Sequence, residues 1–320
     1  MTLATDAVAQ EYQRAAHQRS RVLVAAGLAL LLGVLLDAAT GPAFLPIGQV
    51  AQAVWGEAQD ASVHAIVWAI RLPVALMAVA VGAALGLSGA IMQTILNNPL
   101  ASSYTLGISA GAGFGASLAI VLGIALPLPE SYAIVANAIL FAALTCAGVY
   151  WMGGARAASA EGLILAGIAL LFLFQALLSG LQMIASPESL QQVVFWLFGS
   201  LQKSTWPKLA TMMAVLLLCI PFLVRDLWNL TAMKLGDARA GALGVDVRAL
   251  RLRSFVLISM LTGVAVAFVG TIGFVGLVHP ISLACWWAKI SAAFCRPLRC
   301  WAACCCLWRR WRVKQSSRAQ

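Results

Sequence analysis

The amino-acid sequence predicts an all-α polytopic membrane protein. Of its 320 residues, 62% are hydrophobic and 10% are charged, so too little polar surface remains to cover a water-soluble globule. The stretch 71–115 has no charge after Arg71 and contains one polar turn, Asn97-Asn98-Pro99. Because about 20 apolar residues span a bilayer core, it predicts two membrane helices flanking that turn. Small residues let membrane helices pack closely, and the glycines expected to do so are Gly82, Gly86, Gly89, Gly107 and Gly111.

Seven apolar segments follow one another along the chain. They lie at 22–39, 67–96, 105–126, 132–152, 162–184, 208–224 and 254–278. A polar segment, 1–21, precedes this membrane domain of residues 22–278, and a tail of different composition, 279–320, follows it. With a cytoplasmic N-terminus, the connections on that side are 1–21, 97–104, 153–161 and 225–253. They carry most of the Lys and Arg residues outside the tail, as the positive-inside rule requires.

The connection 225–253 is the largest cytoplasmic piece in this topology. Gly236 and Gly244 divide it into two short predicted helices, 227–235 and 237–243. It is either a solvated, positively charged loop or a docking surface for a partner. On the opposite side, the connection 186–207 carries Trp196 and Trp206, which are typical of interfacial anchors and would also suit an external lid or gate.

One pattern is typical of a catalytic serine, but the residues that would activate it are missing. Gly107-Ile108-Ser109-Ala110-Gly111 fits G-x-S-x-G, which needs a neighbouring base. The three histidines are His17 and His64, in predicted loops, and His279, in the tail. We therefore interpret the motif as helix packing. The sequence contains no HExxH or Walker A motif, so we predict no enzymatic activity and no cofactor.

Two polar residues of the opening stretch have alternative interpretations. Gln93 and Asn98 either satisfy the backbone around the Pro99 turn or line a translocation path, since irregular backbone at membrane depth is tolerated beside a cavity. The spans lack the charged residues that ion-coupled carriers place at mid-membrane. Uphill transport would therefore draw its energy from another chain.

The net charge of +10 does not indicate a nucleic-acid partner, because it is concentrated in one place. The tail 279–320 holds eight Lys and Arg residues and no Asp or Glu. It also holds most of the cysteines. The rest of the chain therefore predicts a protein that is surrounded by the lipid bilayer.

Six sequence blocks identify a family resemblance. They are RLP (71–73), VGAALGLSGAIMQTILNNPLA (81–101), LGISAGAGFGA (106–116), FWLFGSL (195–201), LGDARAGALGVDV (235–247) and VGTIGFVGLV (269–278). Together they closely resemble the FecCD-type permeases, the membrane subunits of ABC importers for iron-siderophore, haem and cobalamin. The resemblance implies a type II importer fold with ten helices, in the cell inner membrane. It also implies a second permease subunit, identical or paralogous, cytoplasmic ATP-binding cassette ATPases and a periplasmic substrate-binding protein.

The resemblance also assigns roles to particular residues. The family's ATPase-coupling helices match Leu235, Gly236, Asp237, Ala242, Leu243 and Gly244. Arg71 matches an outer-face arginine that meets the binding protein, while Val74 stands where the family often has a second arginine. Gln93, Asn98 and Pro99 then belong to a pore-side hairpin.

The tail departs from the family after Val278. The tail can be back-translated and read in a shifted frame, in which each new codon combines the last base of one codon with the first two bases of the next. In that frame Cys285-Trp286 gives Leu, Trp286-Trp287 gives Val and Trp287-Ala288 gives Gly. The shifted frame permits A-P-H-I-A-R-M-L-V-G-E-D-Q-R, which looks like the family's own continuation. We therefore expect the tail to be out of frame and about the last two spans to be missing. A basic tail that binds anionic lipid is the alternative.

The function expected from these observations is passage of a ferric-siderophore-type iron chelate across the inner membrane, powered by partner ATPases. Cobalamin or haem import is the alternative within the class. An inactive, frameshifted remnant is the alternative outside it, and an intramembrane serine hydrolase is a distant third.

Overall fold

The computed structural model describes residues 24–40, 46–55, 60–154 and 159–278, together with Pro280. The predicted segment 1–21 and the rest of the tail 279–320 lie outside the described residues. The helices are α1 (Val24–Ala39), α2 (Ile47–Val54), α3 (Ala61–Ala65), α4 (Leu72–Ile95), α5 (Ile108–Leu122), α6 (Glu130–Gly154), α7 (Ala160–Ile184), α8 (Pro187–Phe198), α9 (Trp206–Arg225), α10 (Leu227–Met233), α11 (Asp237–Ala242) and α12 (Val247–Val269). The described residues contain no strand, so the predicted all-α class is confirmed.

Five helices of the described part are long and apolar enough to cross a membrane. The first is a continuous helix, Ala61–Ile95, in which a π-helical stretch, Ile66–Arg71, joins α3 to α4. The others lie in α6, α7, α9 and α12, while α1 and α5 are shorter apolar helices.

The helices α4 and α12 form the centre of the bundle. Both are largely buried along their length, whereas α7 is mostly exposed. The α5 helix packs against α6 and α7, and α12 packs against α4, α5, α6 and α9. Almost every residue of α4 from Met77 to Met92 is buried, and small side chains alternate with large ones there. Such a surface lets neighbouring backbones approach closely without lipid between them.

Helix caps account for several boundaries that the apolar pattern did not predict. The α12 helix begins at Val247, before the predicted 254, because the Asp246 carboxylate accepts the N–H of Ala249. It ends at Gly270, whose φ of 78° stops it before the predicted 278. The α5 helix ends at Gly123, with a φ of 66°, rather than at 126. These predicted edges were wrong because a hydropathy window does not detect a cap.

The connection 186–207 contains a helix that the sequence analysis did not predict. In α8 the Ser186 side chain accepts the N–H of Ser189, and Pro187 occupies the first helical position, a favoured place for proline. The helix ends at Gly199, whose φ of 68° carries the chain back toward α12. There Ser200 donates its N–H to the carbonyl of Val269 at 2.7 Å, so α8 is held at the end of the bundle where α12 stops.

Candidate functional site

At the end of the bundle where α4 stops, α10 and α11 form a folded surface segment. The predicted pair of short helices broken by glycine is confirmed, because Gly236 has a φ of 92° and Gly244 a φ of 84°. A substitution at either position would strain the backbone. The helices therefore have fixed ends, and the segment is structured rather than a loose loop.

The two helices bury one face and expose the other. The buried side chains are Leu230, Ala232, Met233 and Ala240. Leu235 and Leu243, at the two ends of α11, remain 52% and 60% exposed. Two exposed leucines beside the exposed Ala242 and Gly244 form an apolar patch of the kind that marks protein contacts. We call Leu235–Gly244 the α11 surface.

Two ion pairs hold this segment against the start of α12. Arg251 contacts Asp237 at the start of α11, with Nη2 at 2.9 Å from Oδ2. Arg253 lies 3.4 Å through Nε from Oδ2 of Asp226, the buried residue that precedes α10. Both helices of the segment are thus connected to α12 near their N-terminal ends.

The turn between α4 and α5 lies at this same end. Asn98 accepts the N–H of Leu100 on its side-chain oxygen at 2.9 Å and donates its backbone N–H to the carbonyl of Gln93. Gln93 donates its side-chain N–H to the carbonyl of Leu277 at 3.2 Å, and Pro99 is exposed. These contacts give Asn98 a turn-forming role. A place for the three residues on a translocation path stays a prediction.

The predicted packing glycines lie at close contacts. A Cβ at Gly89 would come 1.9 Å from the carbonyl oxygen of Gly276, and one at Gly107 would come 2.8 Å from the backbone N of Leu171. At Gly111 it would come 2.0 Å from Oγ1 of Thr145. Gly82 and Gly86 are buried in α4. At the first three positions the backbone thus approaches a neighbour so closely that no larger side chain fits.

Arg71 is buried rather than displayed on the outer face. It is 5% exposed, and its Nη1 donates hydrogen bonds to the carbonyls of Ala38 and, at 3.0 Å, Ala39. These carbonyls belong to the C-terminal turn of α1, where a cation offsets the negative end of the helix dipole. In this structure Arg71 therefore connects the C-terminal end of α1 to the π-helical stretch by hydrogen bonds. Its contact with a binding protein stays a prediction and would require this network to open.

A cavity of about 550 Å³ opens at the α8 end of the bundle. Phe195 and Trp196 of α8, the end of α12 and the start of α6 form most of its wall. Gln192, Lys203 and Lys208 supply polar groups. Lys208 donates through Nζ to the backbone carbonyl of Lys203 at 3.0 Å. Two lysines in the cavity lining favour anions.

The sequence analysis overlooked Asn137, a buried polar residue within α6. Its Nδ2 donates to the carbonyls of Gly115 at 3.3 Å and Ile124 at 2.7 Å, and its Oδ1 accepts the N–H of Leu126 at 3.3 Å. The side chain thus binds the Ile124 carbonyl and the Leu126 N–H, which lie just beyond the end of α5, and also contacts the carbonyl of Gly115 inside that helix. An asparagine inside an apolar run was a visible signal, because polar groups within a membrane span are rare.

Replacing Asn137 is expected to destabilise the α5–α6 pair. Asn137→Leu removes these three hydrogen bonds, at a cost of about 0.5 to 1.5 kcal/mol for each one. Asn137→Asp, which keeps an acceptor for Leu126 but loses both donated bonds, should also destabilise. Thermal unfolding of the purified protein in detergent measures both. Equal melting temperatures for both variants and the parent would show that these hydrogen bonds do not stabilise the fold.

The residues of the G-x-S-x-G motif lie where helix packing requires them. Ser109 is buried in the first turn of α5, next to Gly111 at the α6 contact. His64 stacks on Trp68 in the helix that leads into α4; His17 and His279 lie outside the described residues. Within the described part, no three His, Cys, Asp or Glu side chains group as metal ligands would. The arrangement supplies packing and docking surfaces.

The fold defines a membrane-embedded transport subunit, a bundle of apolar helices with a folded surface segment at one end. The chain belongs to the FecCD transport family, whose sequence pattern matches residues 29–303. It is therefore a permease of the ABC importer class. The match extends past Val278, the last residue of the six sequence blocks.

Known proteins are similar over most of their length. The molybdate import permease MolB of Haemophilus influenzae is 35% identical, over 81% of this chain and 77% of MolB. The vitamin B12 import permease BtuC of Klebsiella pneumoniae is 37% identical, over 79% of this chain and 73% of BtuC. A solved structure of a metal-chelate type ABC transporter in an inward-facing conformation has a TM-score of 0.79 and 31% identity, and the match covers 90% of this chain and 89% of that one.

Proposed function

We propose that this permease carries a ferric-siderophore-type iron chelate across the cell inner membrane, and that partner ATPases which dock on the α11 surface supply the energy. The observation that carries this proposal is the α11 surface itself, an ordered apolar patch that the Asp237–Arg251 ion pair connects to α12. An ordered patch binds a partner without first losing conformational entropy. ATP hydrolysis by the docked ATPase would then supply the energy for uphill transport, because the spans lack the charged residues of an ion-coupled carrier.

Two observations support an iron chelate as the cargo: the lysines in the lining of the cavity beside α8, and the similarity of this chain to a solved transporter structure. The lining of the cavity beside α8 includes Lys203 and Lys208, which favours an anionic cargo. The similar solved structure is a metal-chelate type transporter. Cobalamin is the alternative that the likeness to BtuC favours, and haem is the remaining alternative from the sequence. A periplasmic binding protein would deliver the cargo to this face.

The cation distribution supports a cytoplasmic N-terminus. Arg225, Lys234 and Arg239 belong to the α10–α11 end, whereas the α8 end carries Glu188 with Lys203 and Lys208. Under the positive-inside rule the α10–α11 end then faces the cytoplasm and its ATPases. The exposed apolar face of α7, with Leu165 at 70% and Phe172 at 64% exposure, suits contact with lipid or with a second permease subunit.

Uptake by proteoliposomes tests the proposal directly. The permease is reconstituted with its ATPase and binding protein, and ATP-dependent uptake of a ferric siderophore, haem and cobalamin is compared. We expect the ferric siderophore to accumulate fastest. Faster uptake of cobalamin or haem would transfer the assignment to that cargo, and hydrolysis of ATP by the permease alone would contradict the separation of roles.

Disrupting the α11 surface is expected to weaken ATPase binding. Leu243→Ser removes an exposed apolar contact and should raise the Kd for the ATPase about tenfold or more, as truncation at an interface centre does. Leu100→Ser is the matched control, because Leu100 is 66% exposed at the same end but lies in the α4–α5 turn. Co-purification and calorimetry measure the affinity. A similar loss in both variants would contradict specific docking on α11.

A second candidate function, an inactive remnant, is favoured by one observation. After Val278 the sequence departs from the family blocks, and a one-base shift permits a family-like continuation. If the shift is real in the gene, the product lacks the in-frame continuation that the family resemblance implies after Val278. Sequencing the gene across codon 278 in independent isolates distinguishes a mutation from a sequencing error, and uptake by the 320-residue chain would exclude the remnant.

A further inference from the structure

Arg251 is a charged residue buried in the interior of the protein. It lies in the second turn of α12 and is 1% exposed. A buried cation is tolerated where several acceptors surround it. The sequence analysis counted it only among the cytoplasmic positive charges, but a loop cation would remain in water. Its burial therefore indicates a specific set of contacts.

Those contacts lie on two different elements. Arg251 donates through Nε and Nη2 to the carbonyl of Ile95, the last residue of α4, at 3.3 and 3.2 Å. Its Nη2 also lies 3.0 Å from Oδ1 and 2.9 Å from Oδ2 of Asp237, the first residue of α11. The planar guanidinium holds both partners at once, which a lysine ammonium on a flexible stem does less well. One side chain thus connects α12, α11 and α4.

The chemistry of the two partners explains the strength of this connection. The carbonyls at the C-terminus of α4 carry partial negative charge and lack helical partners, so a cation there stabilises the helix end. The Asp237 carboxylate adds a full charge and is about half exposed. A pull on α11 therefore acts on α4 through a few short, charge-assisted bonds rather than through a flexible loop.

A second ion pair keeps the other end of the segment in place. Arg253 contacts Asp226, which itself accepts the side-chain N–H of Asn229 in α10 at 3.2 Å. The helix α10 packs on α4 and α9 as well as on α12. The segment is thus anchored through Asp226 at its start, and Arg251 connects its other helix to the pore-side hairpin.

We propose that Arg251 is the positioning residue that couples α11 to the end of α4, so that movement of α11 on its partner is transmitted to the α4–α5 hairpin. The proposal rests on the proposed function for the identity of the partner, an ATPase, but the connection itself is a property of this chain. In this role Arg251 acts through its contacts with Asp237 and Ile95.

Distance measurements on the purified chain test the connection without any partner. Spin labels are attached to ketone-bearing residues introduced at Leu100 and Ala242, because the chain already has 8 cysteines. Both positions are exposed. We expect one narrow distance distribution with Arg251 present and loss of the narrow component in Arg251→Gln and Asp237→Asn. Arg251→Lys should retain part of it.

Arg248→Gln is the matched control, since Arg248 lies in the first turn of α12 and is exposed. It removes the same charge and should leave the distribution narrow. A narrow distribution in Arg251→Gln, or equal broadening in Arg248→Gln, would overturn the proposal. Because Asp237 stays half exposed, Asp237→Asn should fold even if Arg251→Gln does not, and a narrow distribution in that variant would also overturn it.

A second readout uses the reconstituted transporter. With Arg251→Gln, the ATPase should still bind and hydrolyse ATP, while cargo moved per ATP should fall about tenfold. An unchanged ratio would overturn the coupling role. If the parent chain bound no ATPase, the proposed function would fail, but the label distances would still decide whether Arg251 joins α11 to α4.

Discussion

If the tail 279–320 is out of frame, restoring the reading frame at codon 278 is expected to raise transport from little or none to the level of an intact permease. The predicted frame change lies next to the core, because Gly276 lies against Gly89 and the carbonyl of Leu277 accepts the side-chain N–H of Gln93. The family-like continuation would carry this contact onward into further apolar sequence. Without it, we expect the bundle to lack about the last two spans that the family resemblance implies. Uptake of a ferric siderophore by proteoliposomes that contain equal amounts of the two forms measures the difference.

Two controls make this prediction decisive. A synonymous recoding of codons 270–278 changes the DNA but neither frame nor protein, and should leave uptake as it is in the 320-residue form. Binding of the ATPase should be similar for both forms, because the α11 surface precedes codon 278. Equal uptake by the 320-residue and frame-restored chains would contradict the out-of-frame interpretation and favour a functional basic tail.

Hydropathy and the positions of glycine residues predicted much of the fold. Apolar runs predicted most of the long helices within a few residues, because lipid exposure demands apolar side chains along a whole helix; α12, at Val247–Val269 and not 254–278, is the exception. Gly236 and Gly244 predicted the division of the α10–α11 segment, because they adopt positive φ values. The family blocks then identified the permease class. In each case the signal for the prediction lay in the residues of the element itself.

The parts that the sequence did not predict depend on contacts between distant residues. Arg71 and Arg251 look like ordinary interfacial cations in the sequence, yet each is buried against the C-terminal carbonyls of another helix, α1 and α4 respectively. No local pattern indicates which helix end a guanidinium will reach. Asp246 did offer a local signal, because an aspartate three residues before Ala249 is a typical N-cap, and it would have placed Arg251 inside α12.

Gly111→Val is expected to separate α5 from α6 and to destabilise the protein by about 2 to 3 kcal/mol. A Cβ at this position would lie 2.0 Å from Oγ1 and 3.2 Å from Cβ of Thr145, and 3.1 Å from the carbonyl of Phe141. The hydroxyl cannot simply rotate away, because Thr145 donates it to the Phe141 carbonyl at 2.6 Å. Relief therefore requires the two backbones to move apart.

Gly180→Val provides the matched control, since Gly180 lies in α7 and a Cβ added there would have no neighbour within 4 Å. Both changes add the same side chain to a membrane helix, so helix propensity and hydrophobicity cancel in the comparison. Thermal unfolding in detergent should show a lower melting temperature for Gly111→Val alone. In the milder Gly111→Ala background, Thr145→Ala should recover part of the loss because it removes the closest atom. Equal melting temperatures for the two valine variants would show that α5 and α6 tolerate a wider spacing.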